Sequence, residues 1–170
     1  MNIAYPYLPE GRTIKYVDPD NEWMKAAKEF SRENSTDRQM PTGSVIVKDG
    51  VVIGRGANQV PLKNPFFAKI HKNYFCVRRI LHIPTGQKYW MCPGCSASKH
   101  HSEGQAVRDA RANGHDVKGA DLYLWGHWWA CKPCWDAAIG AGIRDLYVLN
   151  ESHILFNRDM PGNVVGKQFD

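Results

Sequence analysis

Apolar and polar positions along this chain follow several distinct rhythms, and each predicts an element. Over residues 20–34, Trp23, Ala26, Ala27 and Phe30 recur at three- and four-residue spacing, with Lys25, Lys28, Glu29 and Arg32 between them. That is the period of a helix with one buried face. Asp18-Pro19-Asp20 ahead of it is a start signal. Over 43–57 the rhythm changes: Val45-Ile46-Val47 and Val51-Val52-Ile53 are β-branched runs on either side of Asp49-Gly50. That dipeptide suits a tight turn with positive φ, so the stretch predicts a hairpin. Apolar residues on both faces of its strands call for helices above and below a sheet.

Helical spacing returns over 101–113, with Ala106, Val107 and Ala110 on one side and Gly114 as the stop. It recurs over 131–142, with Ala137, Ala138 and Ile139 inside. Residues 121–125 (Asp-Leu-Tyr-Leu-Trp) and 145–149 (Asp-Leu-Tyr-Val-Leu) predict strands. A strand, a short helix and a strand imply a parallel pair with a right-handed crossover. Residues 152–157 could form a last strand. Residues 1–18 read as an irregular arm, and Pro161 to Asp170 as a loose end. The order predicts an α/β fold: a three-layer α/β/α sandwich on a mixed sheet of about five strands, with helices on both faces.

Residues 59–99 resist this treatment. They hold Pro61, Pro65, Pro84 and Pro93 and the basic cluster Lys63, Lys69, Lys72, Arg78, Arg79 and Lys88. They also hold Cys76, Cys92, Cys95, His71 and His82. About forty residues without periodicity are unusual inside a compact domain. A metal could supply the missing cross-links.

Composition narrows the class. A chain of 170 residues, 43% hydrophobic and 23% charged, is most simply one domain over 1–170. It has no apolar run of the roughly 18 residues that a spanning helix needs. Met1 to Glu10 is polar and proline-rich, unlike a secretory signal, which favours a cytoplasmic protein with no membrane partner. The net charge of +5 is compatible with phosphate-bearing partners, from nucleotides to nucleic acid. Four of the five cysteines fall into two Cys-x-x-Cys pairs, spacing that favours metal over disulfides.

The sharpest chemistry is His-Ser-Glu at 101–103 followed by Cys-Lys-Pro-Cys at 131–134. His101, Cys131 and Cys134 are nitrogen and sulfur donors suited to zinc. Three protein ligands leave a fourth tetrahedral position open, as in a catalytic site. Each half sits at a predicted helix start, where the positive dipole end favours thiolate. Glu103, two residues past the histidine, is placed to carry protons without being a ligand.

A His-x-Glu followed by Cys-x-x-Cys resembles the zinc-dependent cytidine deaminase superfamily, and most of all its deoxycytidylate (dCMP) deaminase branch. The resemblance covers roughly residues 20–150. It includes Pro41-Thr42-Gly43-Ser44-Val45-Ile46-Val47-Lys48-Asp49-Gly50 and Gly54-Arg55-Gly56-Ala57-Asn58. It implies a cytidine-deaminase-like fold, a catalytic Zn2+ on His101, Cys131 and Cys134, and Glu103 as proton shuttle. The backbone near Ser102 would orient the base, and Asn58 would contact the sugar. The implied reaction is hydrolytic loss of the 4-amino group of a cytosine-containing nucleotide, dCMP to dUMP, by a homo-oligomer. Two residues depart from the family pattern: Ala130 stands where proline is usual before the first cysteine, and Ser102 where alanine is usual.

Trp125-Gly126-His127-Trp128-Trp129 is unusually aromatic. Trp128 could stack on a base and His127 could bond within the pocket, or both could belong to core or loop. Cys92-Pro93-Gly94-Cys95 has the knuckle form of a structural zinc half-site. Cys76 and His82 are the best further ligands for a second Zn2+, with His71 and His100 behind them; reduced, buried thiols are the alternative. A nucleic-acid deaminase, acting on transfer-RNA adenosine or single-strand cytosine, would use the basic insert and the tryptophans. A non-enzymatic zinc ribbon on Cys92, Cys95, Cys131 and Cys134 would span 35 intervening residues and leave His101 and Glu103 without a task.

Overall fold

The computed structural model describes residues 3–84 and 86–170, so the first two residues of the expected arm lie outside it. In chain order the elements are β1 (Ile14–Val17), α1 (Glu22–Asn34), β2 (Gly43–Lys48), β3 (Val51–Ala57), α2 (Pro65–Asn73) and α3 (Val77–Ile80). Then follow α4 (Ser102–Ala112), β4 (Asp121–Trp125), α5 (Lys132–Ala141), β5 (Asp145–Leu149) and α6 (Ser152–Leu155). The sheet order is β1-β5-β4-β2-β3. β1, β5 and β4 are parallel, and β2 is antiparallel to both β4 and β3.

Alternation along the strands explains the layers. Val45 and Val47 of β2, with Tyr123 and Trp125 of β4, pack under Met24 and Ala27 of α1. Ile46, Leu122, Leu124, Leu146 and Val148 point the other way, onto Ala106, Val107 and Ala110 of α4 and Trp135 and Ala138 of α5. A strand has a period of two, so apolar residues at consecutive positions need a cover on each face. This is the mixed, two-sided sheet expected from the sequence.

Five expectations change. The fifth strand is β1, inside the arm expected to be irregular: Ile14 and Tyr16 pair with Leu146 and Val148. Residues 152–157 do not make a strand; Ser152–Leu155 is a short helix. The tail is not loose, because Phe169 stacks on Trp125 at 4.8 Å and Val164 N–H donates to the Leu155 carbonyl at 2.8 Å. The insert contains α2 and α3 as well as 3₁₀ turns at Tyr89–Met91 and Ser98–His100. A signal for α2 stands in the sequence: Asn64 caps it by accepting from Phe66 and Phe67 N–H, and Pro65 occupies the first turn. Helix α1 likewise starts from Asn21, whose side chain accepts from Met24 N–H at 3.0 Å, rather than from Asp18-Pro19-Asp20.

One contact decides where α4 sits. A Cβ built on Gly56 of β3 would stand 2.1 Å from the Ser102 carbonyl and 2.4 Å from the Ala106 nitrogen. Only glycine lets the helix approach this strand so closely. Gly56→Ala is expected to cost about 1–3 kcal/mol in denaturant unfolding, because backbone rather than a flexible side chain must yield. Stability equal to the wild type would show that α4 can shift freely.

Candidate active site and metal centres

Helix α4 begins at Ser102 and α5 at Lys132, so His101 and Cys131 are their N-cap residues. Both helix starts point at the same place. His101 Nδ1 lies 3.4 Å from Cys131 Sγ and 3.4 Å from Cys134 Sγ, and the two sulfurs are 3.3 Å apart. Tetrahedral donors at zinc bond lengths stand about 3.5–3.8 Å from one another, so the triangle fits the ion closely. The cysteines are free thiols. Hydrogen bonding with Cys134 pushes the Cys131 thiol down to about 5, aided by His101 and against burial. The same bond and burial push Cys134 up, so one thiolate is shared across the pair.

The histidine is oriented by a group that no motif singles out. His101 Nε2–H donates to the Ser96 carbonyl at 3.1 Å, which leaves the Nδ1 lone pair facing the sulfurs. Tyr89 stands edge-on to the ring at 5.3 Å.

Glu103 is buried at 5% exposure. Ser44 of β2 and Ser102, both fully buried, form a relay toward it: their hydroxyls are 2.8 Å apart, and Ser102 Oγ–H donates to Glu103 Oε2 at 3.1 Å. Burial is the largest influence on the carboxyl and pushes its pKa up, opposed by the His101 charge. A carboxyl held this way is suited to take and return a proton. Ser102 thus contributes a side chain as well as the expected backbone. Ser44 sits in an ordinary strand position, where no pattern marks it.

These groups open into a cavity of about 90 Å³. His101, Glu103, Cys131, Asn58, His127 and Trp129 line it, together with Gln39, Asp37, Arg78, Arg79 and Arg158. His127 lines the cavity. Burial pushes its pKa down to about 3, and its Nδ1 accepts from Trp129 N–H at 3.4 Å, so it serves as a neutral donor through Nε2. Trp128 is not in the lining: it stacks on Tyr5 at 6.0 Å, and Trp129 takes the wall instead. Asn58 lines the pocket with its amide already engaged. Its Oδ1 accepts from Ser35 Oγ at 2.6 Å and Thr42 N at 2.9 Å, and its Nδ2 donates to the Met40 carbonyl at 2.9 Å. It therefore fixes the loop between α1 and β2.

A second group of donors forms beside the pocket. His71, Cys76, Cys92 and Cys95 are all buried and mutually within 4.8 Å. Cys95 Sγ is 3.7 Å from Cys76 Sγ and 3.7 Å from His71 Nε2. Three cysteines and one histidine make the donor set of a closed structural zinc. The fourth member is His71 of α2 and not His82, which sits with a positive φ of 50° in the turn after α3, outside both groups. His100 is in neither group. Gly94 in the knuckle makes the arrangement possible, since a Cβ there would lie 2.3 Å from the His71 ring. The two Cys-x-x-Cys pairs belong to separate clusters, which removes the single four-cysteine ribbon.

Comparison with known proteins agrees with the donor pattern. The family model of the cytidine and deoxycytidylate deaminase zinc-binding region matches residues 17–150. Among solved structures, a dCMP deaminase from cyanophage S-TIM5, in complex with dCMP and dUMP, is 21% identical with a TM-score of 0.48; the match covers 74% of this chain and 76% of that one. A diaminohydroxyphosphoribosylaminopyrimidine deaminase/5-amino-6-(5-phosphoribosylamino)uracil reductase from Thermotoga maritima is 25% identical with a TM-score of 0.43. That match covers 74% of this chain but 28% of the Thermotoga chain. A transfer-RNA deaminase of A-to-I editing at the wobble position is 26% identical over 75% of each chain, with a TM-score of 0.45. No curated protein sequence matches the chain. Among the described residues, no helix is long and apolar enough to cross a membrane.

Proposed function

The chain belongs to the cytidine and deoxycytidylate deaminase zinc-binding family, and from that premise we propose that it hydrolytically removes the 4-amino group of a cytosine-containing nucleotide, dCMP to dUMP. The observation that carries this reading is the triangle of His101 Nδ1, Cys131 Sγ and Cys134 Sγ, two of whose members, His101 and Cys131, line the same cavity as buried Glu103. A zinc ion held there supplies Lewis acidity that makes water a nucleophile near neutral pH. The chain's own residues do the rest. Glu103 accepts one proton from the attacking water and gives it to the ring nitrogen, then accepts the second from the hydroxyl added at C4 and gives it to the amine, so that the C4–N bond breaks and ammonia leaves. Ser102 and Ser44 hold that carboxyl in place. His127 offers Nε2–H to a ring carbonyl, and Trp129 closes the wall against bulk water.

We assign a second, structural zinc to His71, Cys76, Cys92 and Cys95, on the strength of their shared burial and closed donor set. It would staple the insert at 59–99 to the pocket wall, because Cys76 and Cys95 line that wall too.

A nucleic-acid substrate has one specific observation in its favour. Phe66, Phe67, Tyr74, Phe75 and Trp90 of the insert are exposed, beside Lys63, Lys69 and Lys88. Exposed rings among cations suit stacked bases. The deciding experiment is ammonia release from zinc-loaded protein over cytosine, cytidine, deoxycytidine, their monophosphates, adenine compounds, transfer RNA and single-stranded oligonucleotides. Fastest turnover of dCMP supports the nucleotide reading. Turnover confined to nucleic acid would overturn it, and turnover of none would remove the deaminase itself.

A further inference from the structure

Three guanidiniums line the catalytic cavity, and they are not equivalent. Arg78 is fully used. Its Nε donates to the Gln87 carbonyl at 2.9 Å, its Nη2 to the Pro84 carbonyl at 2.9 Å, and its plane lies 4.1 Å over the Tyr89 ring. Arg79 spends one nitrogen on the carbonyls of His71 and Lys72, at 3.1 and 3.2 Å. Arg158 donates no side-chain hydrogen bond and joins no ion pair among the described residues. The carboxylate on this wall is Asp37, and it is occupied: its Oδ1 accepts from Gln39 N and Met40 N, each at 3.0 Å. Gln39 lines the same wall, and its Nε2 is buried without an acceptor.

The cavity lining therefore presents unspent donors and net positive charge. Such a set answers a dianion with several acceptor oxygens, and guanidinium suits phosphate through its fork of parallel N–H groups. We infer that Arg158, assisted by Arg79 and Gln39, binds the phosphate monoester of the nucleotide substrate and sets the preference for nucleotide over nucleoside. The inference rests on the nucleotide reading above and adds the residue that enforces it.

The fold explains why Arg158 can hold this position although it lies beyond the family-matched residues 17–150. Phe156, two residues earlier, is buried edge-on to Trp125 of β4. After Arg158, Asn163 Nδ2 donates back to the Arg158 and Met160 carbonyls, and Val164 N–H closes onto Leu155. The tail is thus pinned on both sides of the arginine, and its side chain is left open to solvent from the cavity. The surrounding walls and the Arg79 charge push its pKa down, as unpaired cations facing one shared space do to each other.

The test uses the whole zinc-loaded chain as wild type, Arg158→Ala and Arg158→Lys. Calorimetry gives dissociation constants for dUMP, deoxyuridine and inorganic phosphate, and kcat/KM is read for dCMP and deoxycytidine. In Arg158→Ala the preference for dUMP over deoxyuridine, and for dCMP over deoxycytidine, is expected to fall about 10- to 100-fold. Arg158→Lys is expected to recover part of it, and inorganic phosphate binding to weaken in parallel. Equal losses on phosphorylated and unphosphorylated ligands would give Arg158 a merely structural role and overturn the proposal; an unchanged preference would do the same. Loss of phosphate binding in Arg158→Ala, with no turnover of any cytosine compound by the wild type, would sink the cytosine reading while leaving the phosphate site standing.

Discussion

Glu103→Gln is expected to keep its metal and to lose ammonia release by about 10²- to 10⁴-fold, the usual contribution of a positioned proton carrier. The substitution preserves shape and removes the exchangeable proton. Ser102 Oγ–H donates to Glu103 Oε2, and an amide oxygen can accept the same bond, so Ser102 and Ser44 need not move. The ligand atoms belong to His101, Cys131 and Cys134; the Cys134 thiol also bonds the Glu103 carboxyl, and the amide oxygen of glutamine can accept that bond in its place. Metal content by elemental analysis should therefore equal that of the wild type while steady-state ammonia production collapses. The burial that pushes the Glu103 pKa up works in the same direction: the carboxyl holds a proton readily and must give it up to a substrate atom, a task that glutamine cannot perform. Retained turnover at full metal occupancy would move the proton transfer to another group, of which His127 is a candidate in the cavity.

Much of this was legible because local patterns and tertiary demands agreed. Strands β4 and β5 fall on the residues where Asp-Leu-Tyr-Leu-Trp and Asp-Leu-Tyr-Val-Leu placed them. The hairpin follows Asp49-Gly50, whose two residues both take positive φ. His101, Cys131 and Cys134 are readable because a metal requires donor types and the helix starts fix their spacing. What was not legible depends on partners distant in sequence. β1 is a strand because β5 offers it an edge, not because four residues announce one. α2 exposes Phe66 and Phe67 and buries only His71, so no apolar stripe marks it. Ser44 and Ser102 are 58 residues apart, and only the register of β2 against α4 shows that they touch. Arg158 reaches the cavity through the packing of a tail whose composition looks like a loose end. His82 lies in the turn after α3 and outside the donor group, whereas helix α2 carries His71 to the knuckle, where Gly94 leaves room for its ring.

His71→Ala and Cys95→Ser are each expected to remove one equivalent of zinc, whereas His82→Ala removes none. The consequence extends past the second cluster. Cys95 is followed directly by Ser96, whose carbonyl receives His101 Nε2–H and so fixes which nitrogen faces Cys131 and Cys134. Cys92 and Cys95 hold that carbonyl through the knuckle, with Cys95 N–H closing onto the Cys92 carbonyl at 3.0 Å. Freeing the knuckle lets the Ser96 carbonyl drift, and the imidazole loses the bond that selects its tautomer. Partners of this kind are worth about 10- to 100-fold in metal affinity. In chelator competition, the remaining zinc of Cys95→Ser should therefore exchange about 10- to 100-fold more readily than that of the wild type, and kcat at saturating zinc should recover further than kcat at limiting zinc. His71→Ala should show the smaller effect of the two, since it loosens the cluster without altering the residue joined to Ser96. A single zinc equivalent in the wild type, retained and bound as tightly in both variants, would mean that the four buried donors are thiols and a histidine packed without a metal, and that the Ser96 carbonyl is held by the backbone of the insert alone.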